Sequence, residues 1–324
     1  MFSNIPSYEA LKGDVILKSV SGDTGCTEPM VSVVTVCFNP LKDGREELFV
    51  KNLESVQQQE GVMVEHIIID GASLDGTLNL LKAFDNKRYN ICILSKTDTG
   101  IYDAMNRGIA LARGKYVTFL NSDDFYHRQN GLALSVKALE ESGCSFSFAP
   151  ILPEGSCFLH RLHRHPELHL HRIFISQTIP HQSMLYRRTV LIEEDGYDPS
   201  YRMGGDHELT LRLIAAGHKA CFVGVAFVTF AAGGFSTQDP ALKLREKMHR
   251  VKCFHKKIFG VEFSKKDINT LVRHYHYPRK YLSIYVASQR MINQTFVGVP
   301  KKLLHRLIYR FNFWKYYFKC LFSI

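Results

Sequence analysis

The feature that most limits this chain is an alternation, between residues 31 and 120, of short β-branched runs with segments of helical spacing. Residues 31–38 run Val-Ser-Val-Val-Thr-Val-Cys-Phe and stop at the turn pair Asn39-Pro40, which predicts a buried strand. Residues 45–58 carry Leu48, Phe49, Leu53 and Val56 at helical spacing. A second strand follows at 64–69, closed by Asp70-Gly71, then a second helix at 76–84. Strand 91–94, helix 101–112 and strand 116–120 complete the pattern. Strands separated by helices need crossover connections, so the class is α/β with a largely parallel sheet flanked by helices. Ligands of such sheets sit beyond the carboxyl ends of the strands. Asp70 leaves the second strand there, and Asp123 and Asp124 leave the fourth. These acids are therefore expected to face one cleft.

The second half is less regular. Residues 143–150 suggest a further strand, 158–172 an irregular hairpin or loop rich in His, Arg and Leu, and 206–216 a helix stopped by Gly217. Residues 219–230 look like one strand before the break at Ala232-Gly233-Gly234, and from Asp239 onward the chain looks helical and basic. Residues 1–29 are turn-rich and read as an extension. The expected division is 1–29 extension, 30–238 catalytic domain and 239–324 basic helical region. The net charge of +10 over 324 residues gathers late in the chain, which implies an anionic partner. Of the eight cysteines, Cys37, Cys92, Cys144 and Cys221 lie in apolar runs and no CxxC pair occurs, so reduced, buried thiols are expected. The first thirty residues lack the order of a signal peptide, and no apolar run reaches the ~18 residues of a membrane span. A cytoplasmic protein is expected.

Four motifs stand in order along this frame: the strand-one run ending in Phe38-Asn39; Ile69-Asp70-Gly71-Ala72-Ser73-Leu74-Asp75-Gly76-Thr77; Gly100-Ile101-Tyr102-Asp103-Ala104-Met105-Asn106-Arg107-Gly108; and Phe119-Leu120-Asn121-Ser122-Asp123-Asp124. Together they resemble family 2 of the glycosyltransferases, in particular the bacterial branch that builds exopolysaccharide, capsule and lipopolysaccharide repeats. The resemblance covers about residues 30 to 235. It implies a GT-A fold, a Rossmann-like mixed and largely parallel sheet, and a UDP-sugar donor. It also implies that Asp70 accepts the N3–H of uracil, that Phe38 and Asn39 wall the base, and that Asp98, Asp103 and Asn106 border the donor pocket. Ser122 and Asp123 would meet the donor, with Asp123 as chief metal carboxylate. The chain departs from the widespread Asp-x-Asp form, because Asn121 stands where the first aspartate would. Chemistry agrees independently: a leaving diphosphate needs its charge offset, and Mn²⁺ or Mg²⁺ prefers carboxylate and phosphate oxygens, so Asp123 and Asp124 suit a metal. Asp-Asp after a strand also serves as a plain turn or cap.

A second constellation, Met203-Gly204-Gly205-Asp206-His207-Glu208, resembles the acceptor-side motif whose acid acts as catalytic base. Asp206 matches that acid, Glu208 ranks second, and Gly205 replaces the usual glutamate. The plainer alternative makes Asp206 a helix cap. The resemblance places His181 and Gln182 on the floor of the site, and Gly233 and Gly234 in a loop near the diphosphate. His160, His163, His165, His169 and His171 fit no standard zinc spacing, and the neighbouring arginines would repel a cation. Within 300–322, Leu304, Leu307, Ile308, Phe311, Trp314, Phe318 and Leu321 form an apolar stripe beside Lys302, Arg306 and Arg310. That reads as a membrane-surface helix or as a helix docked on the protein's own core.

The reading that follows is a metal-dependent inverting glycosyltransferase of the hexosyl- or N-acetylhexosaminyl-transferring class. Its acceptor would be a lipid-diphosphate-linked glycan at the inner face of the plasma membrane. Alternatives are a family member that binds donor with weak or lost catalysis, and a nucleic-acid- or membrane-binding module. The acidic cleft argues against nucleic acid. A dinucleotide oxidoreductase lacks its GxGxxG after strand one. Oligomeric state is left open.

Overall fold

The computed structural model describes residues 3–19, 28–84, 90–154, 164–231, 239–275 and 277–299. The first half runs α1 (Tyr8–Leu11), β1 (Val15–Ser19), β2 (Val31–Cys37), α2 (Glu46–Gln57), β3 (Val64–Asp70), α3 (Thr77–Phe84), β4 (Asn90–Ser95), α4 (Ile101–Leu111), β5 (Tyr116–Phe119), β6 (Phe125–Tyr126) and α5 (Gly131–Ser142). The second half runs β7 (Phe146–Phe148), β8 (Ile151–Pro153), β9 (Leu185–Arg187), α6 (Arg188–Glu193), α7 (Gly205–Ala215), β10 (Ala220–Phe222), β11 (Val228–Phe230), α8 (Pro240–Phe259), α9 (Lys265–His274), α10 (Leu282–Thr295) and β12 (Phe296–Val297).

A nine-stranded sheet has the order β1-β4-β3-β2-β5-β9-β7-β10-β12. Strands β4, β3, β2 and β5 are parallel, as the crossovers demand. All seven residues of β2 are buried, so its β-branched run is that of a strand covered on both faces. Alternation in β3 then assigns the layers. Ile67 and Ile69 pack toward Met105 and Ile109 of α4, while Ile68 packs toward Phe49, Leu53 and Leu81 of α2 and α3. Helix α4 lies so close to the sheet that a Cβ on Gly108 would collide with the Val34 side chain.

Three features differ from expectation. The segment before Met30 contributes an edge strand, since β1 pairs antiparallel with β4. Residues 219–230 are two strands in two sheets: β10 joins the large sheet, and β11 lies between β6 and β8 in a small one. Residues 164–172 hold two short 3₁₀ turns, Pro166–Leu168 and Leu170–Arg172. His160, His163, Gly233, Gly234 and the stripe at 300–322 lie outside the described residues.

The basic region after 239 is helical, as read. Helix α8 opens on the Asp239 side chain, which accepts from Leu242 N, and closes on Gly260 in the left-handed region. Ile175, Val251, Phe263, Ile268, Leu271, Val272 and Tyr277 join α8 and α9 in a common core. Strand β12 extends the large sheet beside β10. No helix among the described residues is long and apolar enough to cross a membrane. Cys37, Cys92, Cys144, Cys221 and Cys253 are free thiols.

Candidate active site

The carboxyl edge of the parallel strands is set by their register. Cys37 pairs with Asp70, and Asp70 with Ser95, so Asp70 ends the middle of three aligned strands. Asp70 is fully buried. Its Oδ1 accepts from Ser73 Oγ at 2.5 Å, and its Oδ2 accepts from Ser95 Oγ at 2.6 Å and Ser73 N at 3.1 Å. Asn39 adopts a left-handed backbone (φ 49°). Its N–H donates to Ser73 Oγ at 2.7 Å and its Oδ1 accepts from Leu74 N at 2.9 Å. Asp75 accepts from Leu41 N at 2.8 Å. The first two motifs are thus laced into one rim. On that rim Phe38 stands 67% exposed, and Asp98 is half-buried nearby.

The turn after β5 is pinned from below. Asp124 N donates to Asn121 O at 3.0 Å, and buried Asn52 of α2 donates to both Asn121 O (2.8 Å) and Asp124 O (2.7 Å). This turn sends its two acids in different directions. Asp124 is fully buried and its Oδ1 accepts from Ala231 N at 3.1 Å, tying the small sheet to the turn. Burial and the neighbouring Asp123 charge hold the Asp124 carboxyl well above its usual range. Asp123 keeps some exposure and receives Arg45 Nη1 at 2.8 Å. Burial raises its carboxyl too, with Arg45 opposing. No group of three or more His, Cys, Asp or Glu side chains able to hold a metal occurs among the described residues. Asp123 is the acid of the pair with access to the cleft. One carboxylate completed by diphosphate oxygens is an ordinary site for Mg²⁺ or Mn²⁺.

The start of α7 faces the same turn. Gly204 is its N-cap residue, so Asp206 does not occupy the cap position. Its Oδ1 instead accepts from Tyr102 OH at 3.4 Å, and its Oδ2 lies 3.5 Å from His181 Nδ1. His181 Nε2 in turn lies 3.2 Å from Asn121 Nδ2. A chain of polar contacts thus joins the turn bearing Asp123 to the acid of α7. Burial opposes ionisation of Asp206, but the His181 contact and the Arg250 guanidinium outweigh it and hold the carboxyl well below its ordinary value. Tyr102 stacks on Tyr197 with centroids 5.4 Å apart. A Cβ on Gly205 would meet the Tyr102 ring at 2.8 Å. The glycine that departs from the motif is therefore what lets Tyr102 reach Asp206.

Other expected site residues have structural partners. Asp103 accepts from Thr99 N at 3.0 Å and Arg107 Nη2 at 3.0 Å, within its own helix start. Asn106 is fully buried and exchanges two 2.8 Å bonds with the Tyr197 backbone. Glu208 is held by Arg212 through bonds of 3.0 and 2.9 Å. Gln182 is buried beside Asp124. Ser122 lies partly exposed in the pinned turn. Sequence reasoning passed over Arg45, Tyr102, Asn52 and Arg250. Only Tyr102 carried a signal, since it stands inside the third motif.

The architecture, a mixed and mostly parallel sheet with acids at its carboxyl edge, is that of the GT-A class. Residues 32–194 match the family described as Glycosyl transferase family 2. The chain belongs to that family. It is 34% identical over 187 residues to an uncharacterized glycosyltransferase of Mycobacterium tuberculosis, covering 57% of this chain and 68% of that one. It is 29% identical over 179 residues to a PGL/p-HBAD biosynthesis glycosyltransferase of Mycobacterium bovis, covering 55% of this chain. The chain spans 65% of that relative's length. Among solved structures, S. aureus TarS 1-349 in complex with UDP-GlcNAc superposes with a TM-score of 0.56 at 15% identity, covering 83% of this chain and 81% of that one. That likeness concerns the fold.

Proposed function

We propose that this protein transfers a sugar from a UDP-sugar to a hydroxyl of a glycan acceptor, with inversion at the anomeric carbon. The observation that carries the reading is Asp206. It is an acid at a helix start that does not occupy the cap position and is linked through His181 and Asn121 to the turn bearing Asp123. An ionised carboxylate so placed can take the proton of an acceptor hydroxyl as that oxygen attacks the anomeric carbon from the face opposite UDP. Tyr102 and His181 orient the carboxylate. Asp123 would hold a divalent cation together with the diphosphate, and such a cation stabilises the charge that develops on the leaving UDP. Asp124, buried behind the turn, shapes the loop rather than meeting the donor.

The donor class is supported by the fold neighbour in complex with UDP-GlcNAc, and a biosynthetic role by the relative named for PGL/p-HBAD biosynthesis. A lipid-diphosphate-linked acceptor would bring the protein to the inner face of the membrane, where its basic C-terminal region would meet anionic lipid. Free UDP released from UDP-sugars, measured with and without Mn²⁺, tests the core of this proposal. Metal-stimulated release from at least one UDP-sugar is expected. Nucleotide binding with no release from any donor would instead point to a binding protein that has lost catalysis.

A further inference from the structure

His181 stands between two polar side chains, and each of its ring nitrogens meets one of them. Nδ1 lies 3.5 Å from Asp206 Oδ2, and Nε2 lies 3.2 Å from Asn121 Nδ2. The second contact is rigid at both ends. The 3₁₀ turn of His181 is tied down by Ser183, whose Oγ donates to Ala149 O at 2.7 Å and accepts from Ala149 N at 3.2 Å. Asn121 belongs to the turn that Asn52 pins. An amide nitrogen has only hydrogens to offer, so Asn121 can meet Nε2 only by donating to its lone pair. A neutral imidazole with a bare Nε2 carries its proton on Nδ1, and that N–H faces the Asp206 carboxylate. The opposite orientation of the amide would set Asn121 Oδ1 against the ring and require a proton on Nε2. A neutral ring would then turn a lone pair on Asp206. Asp124 favours the first orientation: burial and the Asp123 charge push its carboxyl up, and the Asn121 side chain works against that rise, as a donor does.

We propose that Asn121 is a positioning residue that fixes the tautomer of His181, so that the ring donates Nδ1–H to Asp206 Oδ2. Tyr102 OH serves the other oxygen at 3.4 Å, and the two donors hold one oxygen each. This role rests on the reading of Asp206 as the base. It also gives a use to the departure at position 121. An aspartate there would accept a proton carried on Nε2. The ring would then either face Asp206 with a bare Nδ1 or carry both protons. The first frees the carboxylate from its orientation, and the second lowers its basicity. Restoring the common acid should therefore impair this protein rather than improve it.

Full-length protein carrying ¹⁵N-labelled histidine reports which ring nitrogens bear protons, through long-range proton–nitrogen spectra at about neutral pH. His181→Gln identifies the relevant signals by their loss. Wild type should show a proton on Nδ1 and a bare Nε2. Asn121→Asp should put a proton on Nε2, and Asn121→Ala should leave a mixture of the two tautomers. The bond to Asn52 uses the Asn121 backbone carbonyl, so both variants keep that pin. Circular dichroism checks that they fold, and Asn121→Ala carries the test if Asn121→Asp does not. The same proteins are titrated with UDP and Mn²⁺ by calorimetry and assayed for release of UDP from UDP-sugars. UDP affinity should fall by no more than about threefold in Asn121→Asp, while kcat falls at least about tenfold, part of the ~10²–10⁴ that a general base supplies. A wild-type ring protonated on Nε2, or an Nε2 that stays bare in the variants, overturns the assignment. So does a displaced proton with wild-type kcat. A wild type that carries Nδ1–H yet releases UDP from no UDP-sugar would sink the transferase reading and leave the tautomer assignment standing.

Discussion

Asp123 and Asp124 are neighbours in sequence with opposite surroundings. The turn held by Asn52 buries Asp124 against Ala231 and leaves Asp123 against Arg45. Asp123→Ala should therefore abolish the response of turnover to Mn²⁺. Arg45→Ala should keep it and lower the Mn²⁺ concentration needed, since the guanidinium competes for the same oxygen. The pair is partly exposed, so the shift should be modest, at most about fivefold for an ion pair of ~1 kcal/mol. An Asp123→Ala protein with a wild-type Mn²⁺ titration would refute the metal assignment. The acids themselves were legible because each follows a buried strand at the ligand-binding edge. Their partners were not: Arg45 and Arg250 arrive from separate parts of the chain with nothing local to mark them, and Tyr102 was marked only by its place inside the third motif. The third motif also shows that a residue can belong to a motif for structural reasons, as Asn106 does in clamping Tyr197.

At the scale of elements, legibility followed length and burial. Strands β2 to β5 and helices α2 to α4 lie within a residue or two of their expected bounds, because each run is long enough to show its period or its β-branched block. Strands β7, β9, β10 and β11 are three residues each, too short for alternation to register, and β9 passed unnoticed. Strand β1 is defined by pairing with β4, about seventy-five residues away, a long-range partner that no local pattern announces. The contact between α4 and β2 offers a test of packing. Replacing Gly108 by Ala gains about 1 kcal/mol of helix propensity but forces a methyl into Val34, and overpacking typically costs 1–3 kcal/mol. With the Cβ in outright collision, the clash should win. Gly108→Ala should lower stability in urea, and the double variant with Val34→Ala should be less destabilised than the two single changes summed. Strict additivity would show that the helix simply slides away.

For the whole molecule, the helices after 239 complete the fold around the site: Arg250 of α8 donates to His207 Nδ1 of α7 at 3.0 Å, and His207 Nε2 lies 2.5 Å from Ile173 O. His255 likewise uses Nδ1 toward Val251 O (2.7 Å) and Nε2 toward Tyr277 OH (2.7 Å). These partners are satisfied by neutral imidazoles. Burial lowers His66 and His207 to about 3, and His255 to about 4, from 6.5. Below pH 6.5 the unfolded chain takes up protons that the folded one refuses, so this stability is full above that pH and is lost as pH falls toward 4. Each group contributes at most about 1.4 kcal/mol per pH unit. Thermal midpoints should drop between pH 7 and 5, and His255→Gln should flatten that drop; equal slopes would place the titration elsewhere. The docked helices also hold the region around Asp206, where binding and chemistry can be separated. The deciding measurement pairs UDP-sugar affinity with transfer rate for Asp206→Asn, a change that keeps size and cannot accept a proton. Near wild-type affinity with transfer reduced at least about a hundredfold is predicted, since loss of a general base typically costs ~10²–10⁴ in rate. A folded Asp206→Asn protein that transfers sugar at the wild-type rate would contradict the account.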